Sequence, residues 1–425
     1  MFTDPDGPDE IIEAFLLGFP ALFSIINPVG GAFVFQALTA GCTGAERMQL
    51  AGKVALYSLA VLMISLWAGP VISTGIPSLG RNPPYRLASA HRFGSHPNPK
   101  GNAMTTPTIL GSGDFRYRLL PDWARLPDGW DFHEVAAVAV DSRDQVYVFS
   151  RSAHPVTVFD RDGTFLRAWG EGVFKRAHGL SIAPDDTIFC TDDGDHSVRR
   201  CTPEGKILLT LGTPGKPKPY MGGEPFCQCT HTALSPSGEI YVSDGYGNAR
   251  VHKYTPDGRH ILSWGTSGVG KGEFNLPHNI CCDDDGWVYV ADRENHRVQI
   301  FNGQGRYETE WRDLHRPSGL FLAKGRCPYC YVGECGPTFG FSRNASNLGP
   351  RVSVVNKQDG TILARLGDRT PANFPGPFTS PHGIAADSKG DIYVGEVAKT
   401  GWGNLFPGVT PHPPRAVLQK LVKQD

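Results

Sequence analysis

The stretch that decides the fold runs from residue 276 to residue 301 and reads LPHNICCDDDGWVYVADRENHRVQIF. It contains an apolar segment from Pro277, a turn at Asp284-Asp285-Gly286, a second segment Val288-Tyr289-Val290, a polar turn and a third segment Val298-Gln299-Ile300-Phe301. Short runs of β-branched and aromatic residues, bounded by aspartate and glycine turns, are typical of antiparallel strands. The stretch therefore predicts three consecutive strands of one small sheet.

The same pattern recurs along the chain. Copies of the second segment are Val146-Tyr147-Val148, Thr187-Ile188-Phe189, Ile240-Tyr241-Val242 and Ile392-Tyr393-Val394. A fourth segment ends most copies on tryptophan or leucine before glycine, and four short strands per unit of about 40 to 50 residues are typical of a propeller blade. Six units begin near residues 134, 176, 229, 276, 316 and 380, and the segment 115–120 is available to complete the last one. The sequence predicts an all-β, six-bladed β-propeller over residues 113–425.

A histidine lies near the start of the first strand in four of the units. These residues are His178, His231, His278 and His382. The first strands of propeller blades surround a common channel, so side chains at equivalent positions converge there. A single imidazole at such a place is more often an ordinary partly buried side chain, but four of them predict a shared metal ion.

Two apolar segments precede the propeller. Residues 11–40 carry no charge apart from Glu13, and residues 54–78 carry no formal charge. Each segment is long enough to cross a hydrocarbon core of about 30 Å. The alternatives are a signal peptide, which the acidic start of the chain disfavours, or a buried helical hairpin. We predict an α-helical transmembrane hairpin over residues 1–80 and a Pro/Gly-rich linker over residues 81–112.

The hairpin resembles the start of MarC-type integral membrane proteins. The resemblance rests on residues 15–31, FLLGFPALFSIINPVGG, and on Ala45-Glu46-Arg47, and covers about residues 10–80. It implies an integral membrane protein anchored at its N-terminus, whereas the family's further spans and transport role are not carried over. Basic residues such as Arg81 and Arg86 favour both ends of the hairpin in the cytoplasm but do not decide on which side the propeller lies.

The propeller resembles NHL-repeat proteins and, within them, the peptidyl-α-hydroxyglycine α-amidating lyases, over residues 113–425. The resemblance rests on Phe226-Cys227-Gln228, on YVSDGYGNAR at residues 241–250, on FNLPH at residues 274–278 and on VADRENHRVQ at residues 290–299. It implies an NHL propeller with a zinc ion in its channel.

By motif, the zinc ligands of such lyases correspond to His178, His278 and His382. Three neutral imidazoles leave one coordination position open for a substrate oxygen, which suits a Lewis-acid role. The family has a different residue at His231. The interpretations open for His231 are a fourth ligand, a group that supports a ligand, and a side chain that faces the channel.

The same resemblance implies that the carbon–nitrogen bond of a carbinolamide is cleaved to an amide and glyoxylate. This reaction needs removal of the hydroxyl proton and stabilisation of charge on that oxygen. Tyr246 matches the family tyrosine proposed as the base, and Arg151 and Arg293 match arginines that would hold the substrate carboxylate by paired hydrogen bonds. The alternative is that Tyr246 packs over a turn while the arginines pair with Asp244 and Asp292.

Two departures from the family concern the surroundings of the channel. A structural calcium would take the carbonyls matching Val138 and Leu180 and an aspartate where this chain has Gly383, so calcium is doubtful. A half-cystine after the tyrosine is replaced by Gly247, which leaves Cys227 without the partner that the resemblance implies.

The motif Cys327-Pro328-Tyr329-Cys330 is open to a zinc or redox interpretation. There is no second Cys-x-x-Cys in the chain, and the motif falls on the predicted second strand of blade five. We therefore favour a structural role within the blade.

Charge and composition limit the partners. The chain has 41 lysine and arginine residues against 42 aspartate and glutamate residues, which gives no global attraction for nucleic acid. We expect a membrane-tethered, zinc-dependent lyase whose substrate is a small molecule or peptide with a C-terminal α-hydroxyglycine-like group. The alternative is a non-catalytic NHL propeller that binds a ligand or protein partner on its channel face. A calcium-dependent lactonase fits less well because acidic channel ligands are not evident.

Overall fold

The computed structural model describes residues 107–120, 122–323, 327–337, 345–367, 376–400 and 417–424, and the single residues 43, 48, 51, 342 and 402. The chain divides into two units, Met1–Asn102 and Ala103–Asp425, and every described strand belongs to the second. Apart from the single residues 43, 48 and 51, the predicted helical hairpin lies outside the described residues, as does the predicted linker up to residue 106. Among the described residues, no helix has the length and apolar character needed to cross a bilayer.

The second unit is an all-β propeller whose described strands form six antiparallel sheets, as the sequence predicts. Strands β1 (Ile109–Leu110) and β2 (Tyr117–Leu120) come first in the chain and belong to the last blade. Blade one contains β3 (Val135–Val140), β4 (Val146–Ser150), β5 (Val156–Phe159) and β6 (Phe165–Trp169). Blade two contains β7 (Ala177–Ile182), β8 (Ile188–Asp192), β9 (Ser197–Cys201) and β10 (Ile207–Gly212). Blade three contains β11 (Cys229–Leu234), β12 (Ile240–Asp244), β13 (Arg250–Tyr254) and β14 (His260–Trp264).

The remaining blades follow the same order. Blade four contains β15 (Pro277–Cys282), β16 (Val288–Asp292), β17 (Arg297–Phe301) and β18 (Tyr307–Trp311), with a short 3-10 turn at Arg293–Asn295 after β16. Blade five contains β19 (Pro317–Leu322), β20 (Tyr329–Glu334), β21 (Arg351–Asn356) and β22 (Ile362–Leu366). Blade six contains β23 (Pro381–Ala386), β24 (Ile392–Glu396) and β25 (Leu418–Lys423).

The N-terminal strand closes the ring. Strand β2 pairs antiparallel with β25, with Tyr117 opposite Lys423 and Leu119 opposite Leu421, and β1 extends the same sheet. The sixth blade is therefore built from both ends of the propeller sequence. This pairing confirms the prediction that the segment 115–120 completes the last unit.

The first strands of the blades surround the axis. Strands β3, β7, β11, β15, β19 and β23 contact one another in cyclic order. Apolar side chains fill the space between neighbouring blades, where for example buried Tyr147 and Phe149 of blade one pack with Leu180 and Ile188 of blade two. Burying a side chain of this size contributes roughly 1.5–3 kcal/mol. Dense packing on both sides fixes the position of each first strand, and with it the residues that face the axis.

A buried carboxylate ends the second strand in five blades, and it braces the loop that leads into the first strand. These residues are Asp192, Asp244, Asp292, Glu334 and Glu396. Each accepts a hydrogen bond from a backbone N–H of that loop. In blades two to five a basic residue also contacts the carboxylate, namely Arg199, His252, Arg297 and Arg351. In blade six the corresponding partner is Gln419.

Candidate metal centre

Three histidines meet on the axis of the propeller. His178, His278 and His382 are each the second residue of a first strand, in blades two, four and six. Their potential ligand atoms all lie within 4.8 Å of one another, and all three residues are buried. The ring centroids are 4.8 Å apart for His178 and His278, 4.9 Å for His178 and His382, and 4.5 Å for His278 and His382. Alternate blades thus place three imidazoles in a nearly equilateral triangle.

The three intervening blades orient these imidazoles. His178 Nδ1 donates to the carbonyl of Thr230 at 2.6 Å, and His278 Nδ1 donates to the carbonyl of Ser318 at 2.7 Å. His382 Nδ1 donates to the carbonyl of Ala136 at 2.6 Å. Thr230, Ser318 and Ala136 are the second residues of β11, β19 and β3. A proton held on Nδ1 leaves Nε2 of each ring as a lone-pair donor, which is the tautomer that a metal site requires.

Burial keeps the three imidazoles neutral. Loss of solvation lowers the pKa of His178, His278 and His382 well below the usual value. Positive charge from neighbouring arginines and histidines lowers each pKa further, and for His382 the histidine concerned is His231. Three neutral nitrogen donors in one buried cluster can therefore hold a metal ion. Nitrogen donors of this kind suit transition metals better than hard cations such as calcium, which prefer oxygen.

His231 lies one residue out of register with the other three histidines. Cys229 lies opposite Asp244 as Ala177 lies opposite Asp192, and the strand irregularity that follows pairs His231 with Ser243. Thr230 therefore occupies the place of His178, and the sequence alignment of the four histidines is wrong at His231. A one-residue offset turns a side chain to the other side of the strand.

The His231 ring accordingly contacts a neighbouring blade. A Cβ added at Gly179 would lie 2.9 Å from its Cδ2 atom, so the ring packs against β7. Burial lowers the pKa of His231 to about 4, and its Nδ1 has no hydrogen-bond partner among the described residues. His231 is not part of the group of three histidines within 4.8 Å. Its role as a fourth ligand stays a prediction.

Tyr246 lies against two of the three histidines. Its Oη atom is 3.1 Å from His178 Nε2 and 3.2 Å from His278 Nε2. One hydroxyl proton can be donated to only one of these nitrogens at a time, so the cluster holds more lone pairs than its own protons can satisfy. An electron-pair acceptor such as a metal ion fits this arrangement.

Tight backbone contacts on both sides place Tyr246. A Cβ added at Gly245 would lie 2.1 Å from the carbonyl of Pro277, and one added at Gly247 would lie 2.3 Å from Cys227 Sγ. The backbone N–H of Gly247 also donates to the carbonyl of Cys227 at 2.9 Å. The two glycines let the loop after β12 approach its neighbours closely enough for the phenol to reach the axis.

Arg293 contacts the same hydroxyl from blade four. Its Nη1 donates to Tyr246 Oη at 3.4 Å, and its guanidinium carbon lies 5.5 Å from the centre of the Tyr246 ring. Burial alone would lower the pKa of Arg293, but Tyr246, Cys335 and Glu294 raise it above the usual value. Glu294 holds Arg293 Nε at 2.8 Å and is itself bound by Arg316 at 2.8 Å. Arg293 is thus a fixed, fully charged group beside the phenol.

Arg151 lies in blade one and is held in a similar way. Its Nη1 donates to Glu134 Oε2 at 2.8 Å, and its Nε donates to the carbonyl of Ala177 at 3.3 Å. These contacts leave Nη2 without a partner among the described residues. The arginines do not pair with Asp244 and Asp292, because those carboxylates contact His252 and Arg297. Sequence reasoning missed Glu134, Glu294 and Arg316, and the available indication was that Glu294 directly follows Arg293.

The structure describes both positions at which this chain departs from the lyase pattern, Gly383 and the unpaired Cys227. A Cβ added at Gly383 would lie 2.5 Å from Ala137 Cα, so the backbone of blade one would have to move before a side chain fitted there. The nine cysteines among the described residues are all free thiols, including Cys227. Cys330 is buried on β20, the second strand of blade five, and Cys327 lies just before it.

Comparison with known proteins agrees with the repeat pattern. Residues 226–254 and 274–301 match the NHL repeat, and residues 12–75 match the MarC family integral membrane protein. Human NHL repeat-containing protein 3 is 30% identical over 302 residues, which cover 66% of this chain and 81% of that protein. Peptidyl-alpha-hydroxyglycine alpha-amidating lyase 1 of Drosophila melanogaster is 32% identical over 253 residues, covering 54% of this chain and 44% of that protein.

The similarity extends to larger amidating enzymes. Peptidyl-glycine alpha-amidating monooxygenase B of Xenopus laevis is 29% identical over 325 residues, which cover 66% of this chain. The matched region spans only 34% of the length of that protein. The chain belongs to the NHL-repeat propeller family that includes NHL repeat-containing protein 3, and it is homologous to the peptidyl-α-hydroxyglycine amidating lyases.

Proposed function

We propose that this protein is a membrane-tethered, zinc-dependent amidating-lyase-like enzyme. It cleaves the carbon–nitrogen bond of a peptidyl-α-hydroxyglycine, or a related carbinolamide, to an amide and glyoxylate. The observation that carries the proposal is the contact of Tyr246 Oη with two buried imidazoles and with Arg293, at 3.1, 3.2 and 3.4 Å. A phenol, a cation and a metal-binding cluster around one point are the groups that this reaction requires.

The proposed cleavage needs one group that takes up a proton and gives it back. The hydroxyl O–H bond and the carbon–nitrogen bond of the carbinolamide break, a carbon–oxygen double bond forms, and the leaving amide nitrogen takes up a proton. We assign Tyr246, entering the step as its phenolate, to accept the hydroxyl proton at Oη and to pass that same proton to the leaving nitrogen. Arg293 favours negative charge on that phenol oxygen because its guanidinium donates to it.

The substrate carboxylate is assigned to Arg151 and Arg293. Arg151 Nη2 and Arg293 Nη2 carry no hydrogen bond to described residues, so both offer N–H donors without breaking an existing contact. Glu134 holds Nη1 of Arg151 and Glu294 holds Nε of Arg293, which limits the side-chain entropy lost on binding. Arg151 and Arg293 thereby orient the carbinolamide with its hydroxyl towards Tyr246.

The zinc ion is assigned to Nε2 of His178, His278 and His382. When bound, it supplies a Lewis acid with an open position towards a substrate oxygen. The neutral Nδ1-protonated tautomer, set by the carbonyls of alternate blades, supports this assignment. The metal's identity rests on the donor set and on the resemblance to amidating lyases.

The test is zinc content and glyoxylate release measured on one purified sample of the full chain. We expect about one zinc per chain, and glyoxylate from a peptide that ends in α-hydroxyglycine. His278→Ala should remove the zinc, whereas His260→Ala, which changes an exposed histidine on outer strand β14, should not. Tyr246→Phe should keep the zinc and lose about 10²- to 10⁴-fold in rate.

Zinc binding with no glyoxylate from any α-hydroxyglycine peptide would refute the enzyme and favour a propeller that binds a ligand on its channel face. The membrane tether is tested separately by fractionation. The full chain should partition with membranes and resist extraction by high salt, and a chain lacking residues 1–80 should not. Equal behaviour of the two chains would refute the tether.

A further inference from the structure

A cavity opens beside the metal centre, between blades one and two. Its volume is about 320 Å³, and its walls include Arg151, Lys175 and Arg176 together with Glu134 and His133. This size suits an amino-acid side chain or a small acid rather than a second macromolecule. Phe174 and Pro155 form an apolar part of the wall.

The cavity carries a surplus of positive charge. Three of the residues that line it are permanent cations, and Glu134 is the single carboxylate among those lining residues described by the structure. That carboxylate is already used by Arg151 at 2.8 Å and by the backbone N–H of Thr400 at 2.6 Å. Lys175 is exposed and forms no ion pair with a described residue. Arg151 and Arg176 are paired with Glu134 and Asp193, so the charge of Lys175 is the one left for an incoming anion among the described residues of the cavity wall.

Arg176 connects this cavity to the reacting centre. Its guanidinium carbon lies 5.8 Å from the centre of the Tyr246 ring, while its Nη1 contacts Asp193 at 2.6 Å. The loop that carries Lys175 and Arg176 is rigid, because both backbone N–H groups donate to buried Asp192, at 2.6 and 3.0 Å. An anionic group held by these two side chains would thus lie next to the substrate atoms that contact Tyr246.

We propose that this cavity is a subsite for a second carboxylate of the substrate, recognised by Lys175 and Arg176. The inference rests on the proposed function, in which Arg151 and Arg293 take the first carboxylate. The second carboxylate belongs either to the side chain of the residue that precedes the α-hydroxyglycine or to a side chain on the α-hydroxy residue itself, which leaves with the oxo-acid product. In both cases the preferred substrate is more acidic than a peptide with one terminal carboxylate.

The experiment measures peptide binding to the zinc-loaded full chain by titration calorimetry, with peptides that cannot be cleaved. Three peptides share one upstream sequence and end in Gln-Gly, Glu-Gly or Gln-Asp. We expect either the Glu-Gly or the Gln-Asp peptide to bind at least about tenfold more tightly than Gln-Gly, because its additional carboxylate gains a hydrogen bond between charged groups. The tighter of the two identifies which part of the substrate carries the carboxylate.

Substitutions in the cavity test whether it causes the preference for the acidic peptide. Lys175→Gln should remove most of the difference in affinity without breaking an ion pair. Arg176→Gln should remove the rest of that difference. Lys206→Gln, which changes an exposed lysine in the turn before β10, should leave it intact. Equal affinities for the three peptides, no binding of any of them, or a preference that survives both cavity substitutions would overturn the proposal. A preference for the acidic peptide in a protein that releases no glyoxylate would uphold the subsite while refuting the lyase.

Discussion

Glu396 should make the stability of the propeller depend on pH in an unusual direction. Five buried carboxylates end the second strands of blades two to six. The other four contact a basic residue, whereas Glu396 contacts the amide of Gln419. Its Oε2 accepts the backbone N–H groups of Thr379 and Ser380 at 2.5 and 2.9 Å. Burial raises the pKa of Glu396 to about 7 despite these hydrogen bonds, which act to lower it.

The pKa of about 7 determines both the direction and the size of the change in stability with pH. Between an unfolded pKa of 4.5 and a folded pKa of about 7, the folded protein holds a proton that the unfolded chain has released. The free energy of unfolding contributed by this residue therefore falls as pH rises through that window. Because each tenfold change in proton affinity corresponds to about 1.4 kcal/mol, the total loss is ~3 kcal/mol.

The perturbation is Glu396→Gln, assayed by urea unfolding at pH 5 and pH 8. The amide keeps an oxygen acceptor for the two backbone N–H groups but cannot ionise. The stability of the variant relative to the wild type should rise by ~2.5 kcal/mol between the two pH values, because part of the total loss already occurs below pH 5. The NH₂ group that the substitution places beside Gln419 affects stability equally at both pH values, so its effect cancels when the two are compared. The contributions of the titrating groups that both proteins share cancel as well.

Glu334→Gln is the matched control. Glu334 pairs with buried Arg351 at 2.9 Å, so its loss leaves an uncompensated cation and should destabilise the protein by about 3–5 kcal/mol at pH 8. A wild type and Glu396→Gln variant with parallel pH profiles would refute the reasoning. The carboxyl group would then be ionised throughout the range.

Three further predictions concern the site and the closure of the ring. Gly247→Ala places a Cβ 2.6 Å from the carbonyl of Cys227, so glyoxylate release should fall at least about tenfold while zinc content is unchanged, and a normal rate would show that the loop yields freely. Glu294→Gln removes the carboxylate shared by Arg293 and Arg316, and steady-state kinetics should give a KM raised about tenfold with a smaller change in kcat; an unchanged KM would contradict the proposed role of Arg293. Tyr117→Ala empties a fully buried position in β2 and should cost about 3–5 kcal/mol in urea unfolding, whereas a loss below ~1 kcal/mol would mean that β2 does not close the ring.

The repeat could be predicted because the information that specifies a blade is local. Alternating apolar residues and aspartate or glycine turns specify each strand within a few residues, and the recurrence of the pattern counts the blades. Pairing of the segment 115–120 with the end of the chain could also be predicted, since five complete units and one incomplete unit leave one strand position open. Both expectations are confirmed by β2 and its pairing with β25.

The details of the site depended on register and on neighbouring blades. His231 aligns with Gly179 rather than with His178, and the signal that sequence reasoning overlooked is its spacing to the following turn, which is one residue shorter than for the other three histidines. The carboxylate that holds Arg151 was beyond reach, because Glu134 comes before β3, 17 residues from Arg151 in the chain. Arg176 was missed for the same reason, since its relation to Tyr246 joins blade two to blade three.

The amino-acid sequence by itself determined that this protein contains a six-bladed propeller with histidines near its axis, because strand and turn preferences act between residues close along the chain. The lyase motifs in the sequence already indicated His178, His278 and His382, but only the tertiary structure decided that these three meet without His231, which carbonyl fixes each imidazole, and which carboxylate holds each arginine. Those contacts join residues that are distant in sequence, and they exist only once packing between blades has set the position of every first strand.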